Sequence, residues 1–210
     1  MSHKSSLDKE IYEEWERLTF KLEDYRRLDR EPLAEQVEGW ERLYRKAYEN
    51  GRWLVSASGA WTVTSLGSTI AFRQYRYADA AKLALQFHDH PDAEDDEVYW
   101  VNTVATAGRC LILGGQVDEG LSRLREVLKR ENYPLPIRFI EVRNQIQIVL
   151  QDQAEDAVID SRVVGFAASM LEGWKGQKSK ARRALECFTN GDLFRLLKET
   201  YPNRRTDAGG

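Results

Sequence analysis

The chain is poor in the residues that build small chemical sites and cross-linked folds. Its 210 residues include two cysteines, three histidines and five prolines. Cys110 and Cys187 both fall inside apolar helical patterns, make no disulfide framework, and are expected to be reduced core residues of a cytosolic protein. Two of the three histidines share one loop, which leaves little material for acid–base chemistry. No run of apolar residues approaches the roughly 20 of a membrane span. The opening, MSHKSSLDKE, is polar and has no apolar signal region. A glycine-rich phosphate loop, a dinucleotide fingerprint, a nucleophile elbow and a zinc-helix motif are all missing. The expectation is a cytoplasmic protein without catalytic residues, cofactor, metal site or membrane contact.

What remains is helix. Each proline (Pro32, Pro91, Pro134, Pro136, Pro202) stands where a helix should begin or end, and between them apolar residues recur at three- and four-residue steps. Sustained alternation of period two is absent. With 42% hydrophobic and 31% charged residues, the chain has enough apolar material for one continuous core. Residues 1–202 are expected to form a single all-α domain. It comprises an N-terminal amphipathic helix (1–31), repeat-like hairpins (32–172) and basic capping helices (173–202), followed by a disordered tail over 203–210.

The first helix is predicted from about Leu7 to Arg30. Its stripe, Ile11, Trp15, Leu18, Leu22 and Tyr25, steps by four and three in turn, which is the seam of a coiled coil. Such a seam either packs on the domain or pairs with a second copy to make a homodimer. A second helix starts at Pro32 and stops at Asn50-Gly51. The weakly charged stretch from Arg52 to Tyr75 predicts a helix surrounded by neighbours, and a short helix follows from Tyr77 to His88. Asp92–Glu97 precedes a helix beginning at Val98, where negative charge complements the helix dipole. After Pro134 and Pro136 another helix runs through Ile140, Ile146, Ile148 and Leu150. A polar turn is expected at Gln151–Ala154. The next helix holds Ala157, Val158, Val164, Ala168 and Leu171 and breaks at Gly173-Trp174-Lys175-Gly176. A last pair is predicted over Lys178–Thr189 and Leu193–Tyr201.

The clearest motif joins two of these helices. Ala107 and Gly108 on one and Gly120 on the other are small residues where a hairpin must close, and Gly114-Gly115 supplies the turn. With Gly67 set on Gly108 and one residue inserted, Tyr77, Ala80, Ala84 and Phe87 fall on Val117, Gly120, Leu124 and Val127. The series Val104, Ala107, Gly108, Leu111, Gly114-Gly115, Val117, Gly120, Leu124, Val127 and Leu128 resembles the tetratricopeptide-repeat family. The resemblance covers roughly residues 33–172. Two degenerate units are Trp40-Leu43-Tyr44-Ala47 and Gln145-Ile148-Ala154-Ala157-Val164. The 41-residue separation of the two glycines exceeds the ~34 of that repeat, placing the excess around Pro91–Glu97.

The resemblance implies an α-solenoid of stacked antiparallel helix hairpins. It also implies a non-enzymatic interaction or adaptor module, holding a peptide or protein partner in the concave groove formed by the first helix of each hairpin. Carried over position by position, the groove residues are Thr64, Ser68, Phe72, Asn102, Arg109, Arg143 and Ile146. Arg109 stands out as a lone charge in TVATAGRCLIL, so it must reach solvent or find a carboxylate.

Two other clusters carry chemistry. His88-Asp89-His90 with Asp92, Glu94, Asp95, Asp96 and Glu97 offers metal-type ligands but no ordered spacing, and is better explained as a solvated acidic helix start. Residues 173–210 contain nine basic and four acidic side chains. Within them Lys175, Lys178, Lys180, Arg182 and Arg183 make the strongest basic patch, beside Trp174. That patch is the basis of an alternative reading, a nucleic-acid-associated helical protein.

Overall fold

The computed structural model describes residues 3–20, 34–131, 134–155 and 160–175. Within them the chain is mostly helical, as the sequence pattern requires. It divides into two compact units, Met1–Tyr133 and Pro134–Gly210.

In the first unit, α1 (His3–Phe20) packs on α2 (Ala34–Ala47), and both pack on α3 (Ala57–Arg73). Then come α4 (Tyr77–Leu85), α5 (Glu97–Leu113) and α6 (Val117–Lys129), each lying against its predecessor in the chain. The α4–α5 connection contains two short 3-10 turns, Gln86–Asp89 and Ala93–Asp95. Ile11 and Leu18 of α1 are completely buried with Leu43, Ala47, Val63 and Leu66, and Trp15 packs at the edge of that core. The described part of the N-terminal seam is therefore filled by the chain's own core. Leu22 and Tyr25 lie outside the described residues.

Helix α3 is central, and its composition follows from that. Gly59, Ala60, Gly67 and Ala71 are buried and leave room for neighbours. The Trp40 indole lies so close to Gly67 that a Cβ there would meet the ring at 2.5 Å, and its N–H donates to the Val63 carbonyl at 3.1 Å. Two buried hydroxyls return to their own helix: Thr62 donates to Ser58 O, and Thr64 to Ala60 O. The start of α3 is tied to α1. Ser56 donates both its N–H and its hydroxyl to Asp8 Oδ1, each at 3.0 Å, while its Oγ accepts from Gly59 N–H.

Asn50-Gly51 does more than stop a helix. Both residues have positive φ (51° and 76°), and they join two short antiparallel strands, β1 (Tyr48–Glu49) and β2 (Arg52–Trp53). Asn-Gly is the dipeptide that such a tight hairpin demands. Each strand is only two residues long, too short for alternation to reveal it. The hairpin delivers Trp53 to a cluster with Tyr44 and Tyr48.

In the second unit, α7 (Leu135–Glu155) packs on α8 (Ser161–Lys175). Phe139, Val142, Ile146 and Val149 are buried along α7, with Val163, Phe166 and Ala167 along α8. One expectation is corrected here: Gln151–Ala154 is not a turn, because α7 continues through it to Glu155. Helix α8 ends at Lys175, within the Gly173-Trp174-Lys175-Gly176 segment expected to end it. Polar residues in the last turn of an amphipathic helix resemble a loop when only composition is read. The predicted helices Lys178–Thr189 and Leu193–Tyr201 and the tail lie outside the described residues.

Candidate functional site

The turns joining α3 to α4 and α5 to α6 are the same turn, 40 residues apart. Gln74 and Gly114 cap the first helices and donate to Ile70 O and Cys110 O. Tyr75 and Gly115 follow with φ of 57° and 85°. Arg76 and Gln116 then donate to Ala71 O and Leu111 O, and their carbonyls accept from Ala80 and Gly120. The helix starts match as well, with Ser56 and Asp96 each accepting from the N–H three residues on. The structural register is thus 40 without an insertion. Gly67 corresponds to Ala107, and Ser68 to Gly108, rather than Gly67 to Gly108. The two glycines have different tasks: Gly67 admits Trp40, whereas Gly108 lies against α6, where a Cβ would meet Gly120 O at 3.0 Å. At the equivalent place in the earlier hairpin, the Ser68 hydroxyl donates to Ala80 O at 2.9 Å. Ser68 closes one hairpin by a hydrogen bond, and Gly108 closes the other by contact.

This arrangement decides where the sequence-derived groove residues sit. Thr64, Ser68, Phe72 and Ile146 are buried, at 0%, 1%, 7% and 0% exposure. They are core side chains, so their burial does not support an open lining role. Arg143 and Ile146 belong to the second unit, and Thr64, Ser68, Phe72, Asn102 and Arg109 belong to the first. Asn102 and Arg109 are half-buried on α5, seven residues apart and on one face. Thr106 on the same helix and Trp61, Ser65 and Thr69 on α3 are half-buried as well. Trp61 stacks on Tyr99 of α5, with ring centroids 4.6 Å apart and planes 15° from parallel.

Comparison with known proteins adds nothing to this geometry: no family model matches the chain, and no curated protein or solved structure is significantly similar to it.

Arg109 has an unusual setting. Its guanidinium carbon lies 4.4 Å from the centroid of the Phe72 ring, and its buried Nε has no hydrogen-bond partner. No carboxylate pairs with it among the described residues. The neighbouring Cys110 does not supply an anion. Burial pushes that thiol up, and the nearby Arg109 charge pulls it down by less. Phe72 leads on to Tyr77 at 5.4 Å, and Tyr77 to Tyr75 at 6.2 Å. Tyr75 is 66% exposed. The sequence reading missed both tyrosines; the available signal was Tyr75 occupying the turn position filled by Gly115 in the next hairpin.

His88 and His90 are held by hydrogen bonds within the first unit. His90 is buried, its Nε2 3.1 Å from Val55 O and its Nδ1 accepting from Asp92 N–H. A carbonyl can only accept, so Nε2 carries the proton and the ring is neutral. His88 sits 3.0 Å from Thr103 Oγ1, whose own proton goes to Trp100 O. His88 therefore donates, and burial holds its pKa below the usual value. No group of metal-type ligands assembles among the described residues. Glu94 and Glu97 are engaged by Arg130, which also stacks on Trp100 at 4.1 Å. Of the basic patch, Lys175 is the last residue of α8, and Lys178, Lys180, Arg182 and Arg183 lie outside the described residues. No helix among the described residues is long and apolar enough to cross a membrane.

Proposed function

We propose that the chain is a non-enzymatic interaction module of tetratricopeptide-like, α-solenoid type, which binds a protein or peptide on the joint face of α3 and α5. The observation that supports this most directly is the matching of the two hairpins at 40 residues, in caps, turn and helix length. Equivalent hairpins stacked in register place their first helices side by side, which produces an extended surface of one chemical character. Here that character is weakly polar, carried by Trp61, Ser65, Thr69, Asn102 and Thr106, with Arg109 as the charged residue on the α5 side. Such a face suits the backbone of a peptide better than the phosphates of a nucleic acid, which call for a row of cations.

The test is co-purification of the full chain with its partners, identified by mass spectrometry and repeated with Thr69→Arg and Thr106→Arg. A protein partner retained by the wild type and lost from both variants is the expected result. If the full chain retains no specific protein but binds RNA or DNA with steep salt dependence, the reading is overturned. The nucleic-acid alternative, built on Lys175, Lys178, Lys180, Arg182 and Arg183, takes its place.

A further inference from the structure

We infer that Arg109 and Tyr75, linked through the buried Phe72 ring and Tyr77, form an anchor for an acidic peptide, one that places a carboxylate beside an apolar or aromatic side chain. The inference rests on the interaction-module reading and adds the chemistry of the partner.

The first argument is charge. Arg109 and Glu97 are the charged residues of α5, and Arg109 is half-buried without a counter-ion among the described residues. A guanidinium drawn partly out of water normally pairs with a carboxylate, because its donors form a fork that matches two oxygens. Here the ring of Phe72 supports one face of the cation, which fixes its plane and leaves its remaining donors for an anion from outside. Burial disfavours the Cys110 thiolate, and Asp118 and Glu119 lie on the exposed side of α6, so the described residues offer no substitute.

The second argument is independent and concerns Tyr75. A tyrosine with φ of 57° is in the left-handed region, where a β-carbon is disfavoured. The same turn in the next hairpin uses Gly115 at that place. The fold therefore does not require a side chain at position 75, and the one present is large, aromatic and exposed. Its contact with Tyr77, and that of Tyr77 with Phe72, make it the outer end of a continuous row that begins under Arg109. Strain retained for an exposed aromatic residue is the mark of a binding surface rather than of a stabilising one. A cation at one end and flat rings at the other define a ligand with negative charge and apolar surface close together.

The experiment selects a random dodecapeptide display library on the full chain and measures the enriched peptides by fluorescence anisotropy against wild type, Arg109→Gln and Tyr75→Gly. The expected result is enrichment of Asp or Glu near an aromatic or aliphatic residue. Affinity should fall about ten- to hundredfold in Arg109→Gln, as loss of a charge-assisted hydrogen bond implies. Binding should also weaken in Tyr75→Gly while its melting temperature holds or rises, which separates lost binding from lost folding. Peptides without acidic residues, or affinities unchanged by Arg109→Gln, overturn the anchor. If such peptides are instead lost on Trp61→Ala, the broader interaction reading survives. Failure to enrich any peptide overturns both.

Discussion

Gly120 and Gly165 are both helical glycines, and their surroundings set opposite expectations. A Cβ on Gly120 would lie 2.5 Å from the Gly108 carbonyl oxygen and 2.6 Å from Ile112 Cγ1, whereas nothing lies within 4 Å of one on Gly165. Backbone cannot yield as a side-chain tip can. Gly120→Ala should therefore destabilise by about 1–3 kcal/mol, as overpacking does. Gly165→Ala should stabilise by about 0.5–1 kcal/mol by restricting the unfolded chain. Chemical denaturation of both variants checks the pair, and equal effects would remove the close contact between α5 and α6. His88 gives a pH dependence at the same scale. Burial favours its neutral form in the fold, so the unfolded chain takes up a proton first as pH falls. Its contribution is present above the unfolded value near 6.5 and is lost as pH drops through the lower folded value. Thermal melts between pH 7 and 5 should show a shallower loss of stability in His88→Gln than in the wild type.

Helix termini carry the next set of forces. The Asp8–Ser56–Gly59 arrangement caps α3 and also fastens α1 across its start, so one small side chain serves two junctions. Ser56→Ala should cost about 0.5–2 kcal/mol, the usual range for a lost cap. Because Asp8 then loses a hydroxyl donor, the cost should shrink when Asp8→Ala is already present. A double-mutant cycle by urea unfolding measures that coupling, and additive effects would mean that the two junctions are separate. The α5–α6 hairpin was legible in the sequence because Gly114-Gly115 and Gly120 sit close together along the chain. The register between hairpins was displaced by one residue. Gly67 and Gly108 look alike as letters, yet one makes space for Trp40 and the other for α6. The Asn50-Gly51 hairpin had its turn signal, but two-residue strands leave no pattern around it.

For the molecule as a whole, the first question is what the N-terminal seam binds. Leu18 is fully buried, and its methyl carbons lie within 3.0 Å of where a Cβ on Gly39 would stand. A residue so engaged is not available to a second copy. Leu18→Glu should thus unfold the first unit instead of releasing a monomer, at a cost of at least the ~2–5 kcal/mol of a truncation to alanine. Light scattering on the wild type should give the mass of a single chain at all working concentrations. A wild-type dimer converted by Leu18→Glu into a folded monomer would reverse the assignment.

The sequence by itself determined the helical class and the α5–α6 turn, because both arise from forces between residues near in the chain: apolar period, glycine conformation and proline boundaries. It also singled out Arg109, since a lone charge in an apolar helix is visible in one dimension. Whether a small polar residue faces solvent or core was decided only by tertiary packing. Thr64 and Ser68 satisfy their hydroxyls on carbonyls inside the fold, and a serine spends its single donor on a carbonyl as readily as on water. The row from Arg109 to Tyr75 likewise exists only in three dimensions, because α5 must lie along α3 before the guanidinium can meet the Phe72 ring.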